Sequence, residues 1–150
     1  MIGVISDTHG LLRPEALKAL AGSHLIIHAG DIGDPGILDA LRTIAPVVAV
    51  RGNIDTASAL PEFERIEQGG KSIYILHDVN QLDLDPAAAG IHAVISGHSH
   101  KPSIRTQHGV LYLNPGSAGP RRFKLPVTVA RLHVSDRRLE AEHVDLLDTI

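Results

Sequence analysis

The sequence has no cysteine and no tryptophan, and its 150 residues include only two phenylalanines and two tyrosines. Without cysteine, the chain cannot form disulfides, thiolate nucleophiles or cysteine-rich zinc sites. The formal charge of -3 and the scarcity of aromatic residues argue against a nucleic-acid groove, so a nucleic-acid partner is not expected. No apolar run approaches the length that spans a bilayer, and no signal-peptide pattern precedes the first apolar run. We therefore expect a cytoplasmic protein with no membrane partner.

Histidine, in contrast, is abundant, with ten copies in the chain. Histidine is the commonest metal ligand in proteins, so this number directs attention to where the histidines cluster. The remaining composition, 43% hydrophobic and 21% charged, is ordinary for a globular chain. The length suits one domain spanning residues 1–150, and assembly into a homo-oligomer is left open.

The first ten residues set out the pattern that recurs along the chain. Ile2, Val4 and Ile5 form a β-branched apolar run that predicts a strand. Asp7 and His9 follow immediately, and residues two apart in an extended chain point to the same side. A carboxylate beside an imidazole at the end of a strand is suited to a divalent transition metal.

Further apolar runs of strand length alternate with helical patterns. Pro14 begins one helical pattern, and Asp34 precedes another. Gly69-Gly70 marks a β-hairpin, residues 85–90 predict a short capped helix, and the chain beyond His100 is all β in pattern. This order predicts an α/β domain with a largely parallel sheet and a β-rich tail.

Candidate metal ligands follow five of the predicted strands: Asp7 with His9, Asp31, Asn53, His77, and His98 with His100. The first residues of successive clusters lie 21 to 24 positions apart, which is about one strand plus its return connection. We therefore expect the clusters to meet at one rim of the sheet. Nitrogen and oxygen ligands of this kind suit manganese, iron, zinc, nickel or cobalt.

These motifs resemble the calcineurin-like metallophosphoesterase superfamily, in particular its small single-domain phosphodiesterases. The resemblance rests on DTH at 7–9, GD at 30–31, GN at 52–53, His77, GHSH at 97–100 and the NPGS turn at 114–117. It implies a four-layer αββα sandwich of two mixed β-sheets flanked by helices. It also implies two metal ions, one held by Asp7, His9, Asp31 and His100, the other by Asp31, Asn53, His77 and His98, with Asp31 bridging them.

The chemistry expected of such a site is the hydrolysis of small phosphodiesters by a hydroxide that bridges two divalent ions, with manganese as the preferred metal. Asp31, Asn53 and His98 are expected to take part in catalysis. Asn53 and Arg13 are expected to bind substrate, Arg13 because a guanidinium can grip phosphate with two hydrogen bonds. Arg121 and Arg122, in an exposed basic loop, could also reach a phosphate.

Other interpretations stay open. A phosphomonoesterase or a nuclease would use the same site, and a metal-poor protein-interaction scaffold, like the retromer subunit of this superfamily, would use the same fold. Ile54 stands where many relatives carry a histidine beside an acidic residue, which leaves Asp55 without that partner. Asp78 is either a turn residue or a support for a ligand. His28, inside an apolar strand, is expected to be a hydrogen-bonded core histidine.

Overall fold

The computed structural model describes residues 1–55, 59–122, 124–136 and 138–147. Its helices and strands are, in chain order, β1 (Ile2–Ile5), α1 (Pro14–Leu20), β2 (Leu25–His28), α2 (Gly36–Arg42), β3 (Val47–Ala49), β4 (Phe63–Gln68), β5 (Lys71–Leu76), β6 (Ala93–Ile95), β7 (Ser103–Gln107), β8 (Val110–Asn114), β9 (Thr128–Val134) and β10 (Leu139–Asp145). A 3-10 helix, Val79–Gln81, lies between β5 and β6.

The first sheet has the strand order β10-β9-β1-β2-β3. Its strands β1, β2 and β3 are parallel, and α1 and α2 make the crossovers between them. Pro14 stands in the first turn of α1, where its missing N–H costs no hydrogen bond, and Glu15 complements the positive end of the helix. Strand β9 returns antiparallel to β1, and β10 pairs with β9 at the edge.

The second sheet has the order β4-β5-β6-β8-β7. Strands β4 and β5 form the predicted hairpin, turning at Gly69 and Gly70, which both have positive φ. Strands β5, β6 and β8 are parallel, while β7 is antiparallel to β8. The chain is thus divided between two mixed sheets, which corrects the expectation of one largely parallel sheet.

The two sheets pack face to face through an apolar layer that includes Val4 and Ile27 from the first sheet and Ile75 and Ile95 from the second. Helices α1 and α2 cover the outer face of the first sheet, burying side chains such as Leu20 and Leu41. The predicted α/β sandwich of two mixed sheets is confirmed, and of its two predicted helical layers the one on the first sheet is formed by α1 and α2.

The outer layer of the second sheet differs in detail from a helical layer. Tyr74, Leu76 and Val94 pack there against side chains from the 3-10 helix and the turns that follow it. The short helix predicted at residues 85–90 is a set of hydrogen-bonded turns, in which the N–H of Ala89 donates to the carbonyl of Asp85. Within the described residues, no helix is long and apolar enough to cross a membrane.

Candidate metal centre

The candidate ligands come from the carboxyl ends of strands in both sheets. Asp7 and Asp31 follow β1 and β2 of the first sheet, and His77 and His100 follow β5 and β6 of the second. Their side chains meet across the end of the sandwich, as the contacts of His77 and His100 with Asp7 demonstrate. The expected convergence therefore occurs between two facing sheets.

The backbone at these positions adopts a conformation that non-glycine residues rarely occupy. In the described residues, six non-glycine residues have positive φ, and five of them are candidate ligands: Asp7 at 55°, His9 at 46°, Asp31 at 57°, His98 at 70° and His100 at 64°. Each such residue costs of order 1–3 kcal/mol, so it persists only where the surrounding structure holds it. Clustering of backbone strain at these residues is typical of a functional site.

Two carboxylate oxygens lie between the imidazoles. Asp31 Oδ2 is 3.4 Å from His9 Nε2 and 3.3 Å from His77 Nε2. Asp7 Oδ1 is 3.8 Å from the Nε2 atoms of both His9 and His77, and 3.4 Å from His100 Nε2. Asp31 thus faces one histidine from each of the two expected ligand sets. Asp7 is equally central, which the sequence did not indicate.

The residues fit divalent metal. Asp7 with His9 and His100, and Asp7 with Asp31 and His77, form two overlapping groups whose ligand atoms lie within 4.8 Å of one another. Asp7 Oδ1, His9 Nε2 and His77 Nε2 are buried and have no hydrogen-bond partner in the described residues. Leaving buried polar atoms unpaired costs roughly 1–3 kcal/mol each, and a cation placed among them would remove that cost.

Asp7 is fixed by hydrogen bonds to its other oxygen and to its backbone. Asp7 Oδ2 accepts from the Ser6 hydroxyl at 2.8 Å and from the N–H of His98 at 3.1 Å. The Ser117 hydroxyl donates to the Asp7 carbonyl at 3.0 Å. These bonds leave Oδ1 directed into the site.

Asp31 is held as an anion. Its Oδ1 accepts the backbone N–H of Ile54 at 3.1 Å. Burial alone would raise the pKa of Asp31, but the neighbouring His77 ring and the hydrogen bond from the Ile54 N–H outweigh burial and lower this pKa to about 2. The backbone at position 54 therefore supports a candidate ligand, although the Ile54 side chain has no polar group.

His77 is oriented by the backbone behind it. Its Nδ1 donates to the Ala29 carbonyl at 2.7 Å, which places the Nε2 lone pair toward the two carboxylates. Burial favours the neutral ring, but the Asp31 carboxylate and the Ala29 carbonyl outweigh burial and raise the pKa of His77. For His100, burial prevails and the pKa is lowered, with the positive charge of Arg122 contributing.

His28 is a neutral core histidine, as expected, and it braces the loop that carries Asp7 and His9. The N–H of Gly30 donates to Nδ1, so the ring proton is on Nε2, which donates to the Thr8 hydroxyl. The Thr8 hydroxyl in turn donates to the Ile32 carbonyl. This chain of bonds ties the residue between Asp7 and His9 to the loop that carries Asp31.

Two supporting residues emerge from the structure. The Asp55 carboxylate accepts the N–H groups of Ile32, Gly33 and Gly52, so it joins the loops that follow β2 and β3. Its adjacency to the GN motif was the only sequence signal. Asn114 likewise braces the loop that carries His98 and His100, by donating to the Gly97 carbonyl and the Ser99 hydroxyl.

The glycines beside the ligands serve different purposes. Gly10 and Gly30 have positive φ, as sharp departures from the strands require. Gly52 and Gly97 are needed for close approach instead, because a Cβ atom on Gly52 would collide with the Asp31 carboxylate. A Cβ on Gly97 would come within 2.6 Å of Asp7 Oδ2.

The remaining predicted site residues lie around this centre. The His98 ring packs edge-on against the His77 ring, with the ring centroids 5.2 Å apart. His98 Nε2 is 3.9 Å from Asp78 Oδ2. Asp78 also accepts the N–H of Asn80, so it is a turn residue that faces a candidate ligand. Asn53 is exposed and shares a pocket wall with His77 and Asp78.

The three candidate arginines differ in their contacts and in their relation to the candidate ligands. Arg13 is bonded through Nη2 to the Gly119 carbonyl at 3.3 Å and lies outside the group of ligands that contact one another. Arg121 donates to the Leu125 carbonyl, whereas Arg122 is near enough to His100 to lower its pKa. Ile54 is exposed and borders a groove with Ile32 and Leu38.

Comparison with known proteins agrees with this geometry. Residues 1–137 match the family model of the calcineurin-like phosphoesterase superfamily domain, so the chain belongs to that superfamily. A protein of Methanothermobacter thermautotrophicus named a probable metallophosphoesterase is 39% identical over 156 aligned positions, covering 95% of this chain and 90% of that protein. Proteins of this family use divalent metals.

Solved structures share the fold along most of the chain. A predicted phosphoesterase from Streptococcus pneumoniae superimposes with a TM-score of 0.78 at 27% identity, over 97% of this chain and 88% of that one. Vps29 from Entamoeba histolytica, solved in complex with zinc, superimposes with a TM-score of 0.75 at 25% identity, over 97% of this chain and 98% of that one. An archaeal phosphodiesterase superimposes with a TM-score of 0.79 at 22% identity, over 96% of this chain and 98% of that one. This likeness shows a shared fold.

Proposed function

We propose that the protein is a dinuclear-metal-dependent phosphodiesterase that hydrolyses small phosphodiesters. The observation that carries the proposal is the position of Asp31 Oδ2, which lies 3.4 Å from His9 Nε2 and 3.3 Å from His77 Nε2. An anionic oxygen between two imidazoles, each with a buried and unpaired ring nitrogen, is the arrangement that a bridging ligand requires.

The residues divide into two ligand sets. Asp7, His9, Asp31 and His100 would hold one ion, and Asp31, Asn53, His77 and His98 the other. Bound divalent ions supply Lewis-acid activation of water and stabilise the negative charge that develops on phosphorus oxygens. Because the two aspartates are the only anions among these seven ligands, the loaded site keeps a net positive charge that attracts an anionic diester.

Four side chains are proposed to act on the substrate. Asn53 is exposed at the rim, where an amide can hydrogen-bond a phosphoryl oxygen. His98 has a side chain that is 45% exposed, and Asp78 Oδ2 lies near its Nε2, so this ring is both a ligand and accessible. Arg13, which donates to the Gly119 carbonyl, and Arg122, whose positive charge lowers the pKa of His100, are proposed to contact the phosphate.

The choice of a diester follows from charge. The acidic groups Asp78 and Asp83 border the pocket beside His77, and Arg51 there is already paired with Glu62. A singly charged diester meets less repulsion at this rim than a doubly charged monoester or a polynucleotide. A protein-interaction role, which the likeness to Vps29 raises, would not require the complete ligand set that this chain retains.

The test is hydrolysis of p-nitrophenyl methyl phosphate, a diester, and p-nitrophenyl phosphate, a monoester, before and after chelation. We expect the diester to be cleaved faster, chelation to abolish turnover, and manganese to restore it. His98→Ala should lose activity while remaining folded by circular dichroism. Faster turnover of the monoester would contradict the diester preference, and turnover that persists in the chelated protein would contradict the metal mechanism.

A further inference from the structure

Phe63 is unusual because its large aromatic ring is exposed to solvent in a chain that has only two phenylalanines and two tyrosines. Its exposed fraction is 60%, and it stands at the start of β4, on the edge of the second sheet. Its ring stacks on Tyr74, with centroids 5.8 Å apart and planes 16° from parallel. Tyr74 is buried, so the pair presents a flat aromatic surface whose outer ring faces solvent.

This aromatic surface adjoins the metal centre. Phe63 and Tyr74 line a pocket of about 260 Å³ whose other walls include Asn53, His77 and Asp78. The pocket is slightly smaller than the range of roughly 300–1,000 Å³ that holds whole drug-sized ligands. It therefore suits one part of a substrate, with the phosphoryl group at the metals and an attached ring in the pocket.

The rim of the pocket offers hydrogen-bond acceptors. Asp78, Gln81 and Asp83 face it, and Arg51 is neutralised by its 2.6 Å ion pair with Glu62. Burial and the negative charge of Asp83 raise the pKa of Tyr74 above its ordinary value. A ring that carries amino groups at its edge would find acceptors here, whereas a further phosphate would meet repulsion.

We propose that this pocket is a nucleobase subsite in which Phe63 stacks on the base of a nucleotide diester and the acidic rim accepts hydrogen bonds from its amino group. The proposal rests on the proposed function, since the phosphoryl group is taken to lie at the metals. Stacking on an aromatic side chain is tolerant of base identity, so the acceptors at Asp78 and Asp83 provide the preference for an amino-bearing base such as adenine.

Direct binding is tested with adenosine on the chelated protein. The chain has no tryptophan, so Phe63→Trp introduces a unique fluorophore in the pocket. Ile104→Trp is the matched control, because Ile104 is also exposed but lies on β7, at the opposite edge of the same sheet. We expect saturable quenching by adenosine in Phe63→Trp alone, and weaker binding of uridine. Equal quenching in both variants would overturn the subsite.

Kinetics provide the second test, with two diesters that share one leaving group: the p-nitrophenyl ester of adenosine 5′-monophosphate and p-nitrophenyl methyl phosphate. Phe63→Ala should raise KM for the adenosine ester roughly ten-fold and leave KM for the methyl ester unchanged. Ile104→Ala should alter neither. Equal effects of Phe63→Ala on both esters would overturn the subsite. If neither ester is hydrolysed, the proposed function fails, and the adenosine titration still decides whether the pocket binds a base.

Discussion

At the scale of single residues, Asp31 has the largest number of roles. One of its oxygens faces His9 and His77, while the other accepts the N–H of Ile54. Asp31→Asn would remove the anion and replace one acceptor oxygen by an amide. Supporting residues around metal ligands typically contribute 10- to 100-fold to metal affinity or activity, so loss of a bridging ligand should cost more.

We therefore predict that Asp31→Asn lowers kcat/KM for a phosphodiester by more than about 100-fold, and by more than Asn53→Ala does. The fold should survive, because the apolar side chains of β2 are unchanged. Asp39→Asn is the control, since the Asp39 side chain is 79% exposed and pairs with Arg42 in α2. An unfolded Asp31→Asn protein in circular dichroism would assign Asp31 a structural role and contradict this prediction.

His28 predicts a pH dependence of stability. Burial lowers the pKa of His28 from 6.5 to about 3, so the folded protein keeps this ring neutral where the unfolded chain would protonate it. Above pH 6.5 the ring is neutral in both the folded and the unfolded protein, so it does not change the free energy of unfolding. As the pH falls from 6.5 toward 3, the unfolded chain binds a proton that the folded protein does not, and the fold is progressively destabilised. The slope for one such group approaches about 1.4 kcal/mol per pH unit.

The measurement is urea unfolding of the chelated protein between pH 7.5 and 4, compared with His28→Gln. The variant has no titrating group at this position, so its free energy of unfolding should fall less steeply with acidification, although it is less stable at neutral pH. Other groups titrate in both proteins and cancel in the difference. Parallel curves for the two proteins would show that His28 does not remain neutral in the fold.

At the scale of secondary-structure elements, the site depends on loops that are joined to each other. Asp55 connects the loops after β2 and β3 through three backbone N–H groups. We predict that Asp55→Ala lowers the free energy of unfolding by about 2–4 kcal/mol and weakens manganese binding, because buried donors lose their acceptor. Urea unfolding and metal titration check both effects.

Asp34→Ala is a matched control for this prediction. Asp34 also accepts a backbone N–H, from Gly36, but it does so at an exposed position before α2. Its replacement should change stability by less than about 1 kcal/mol and leave metal binding intact. Equal effects of the two substitutions would show that Asp55 does not join the loops in the way described.

Local sequence patterns predicted most of the elements but not their arrangement. Apolar periodicity and turn residues within short stretches of sequence indicate strand β1, helices α1 and α2 and the β4–β5 hairpin. Which sheet each strand joins depends on pairing between distant segments, for example β6 with β8 and β1 with β9, and no local pattern encodes it. The turns at residues 85–90 carried a capping signal but too few residues to sustain a helix.

The sequence indicated where the candidate site residues would meet, because polar residues at the ends of apolar strands stand out from the pattern, while their roles as ligands stay a prediction. Asp55 and Asn114 were not assigned their supporting roles, since both depend on bonds to loops far away in the chain. The need for Gly52 and Gly97 was likewise explained only by the close approach of Asp31 and Asp7.

At the scale of the whole molecule, the candidate metal centre connects the two sheets. Asp7 and Asp31 belong to the first sheet and His77 and His100 to the second, so bound ions would add ligand bonds across the sandwich. Such bonds would form in the folded protein and not in the unfolded chain, so we expect metal binding to stabilise the fold by mass action.

The most direct test of the central claim is the number of manganese ions per chain after chelation, reconstitution and desalting, measured by elemental analysis. We predict two ions for the natural sequence and for Asp39→Asn, and fewer than two for Asp31→Asn. A natural protein that retains at most one ion, or an Asp31→Asn protein that retains two, would contradict a dinuclear centre bridged by Asp31.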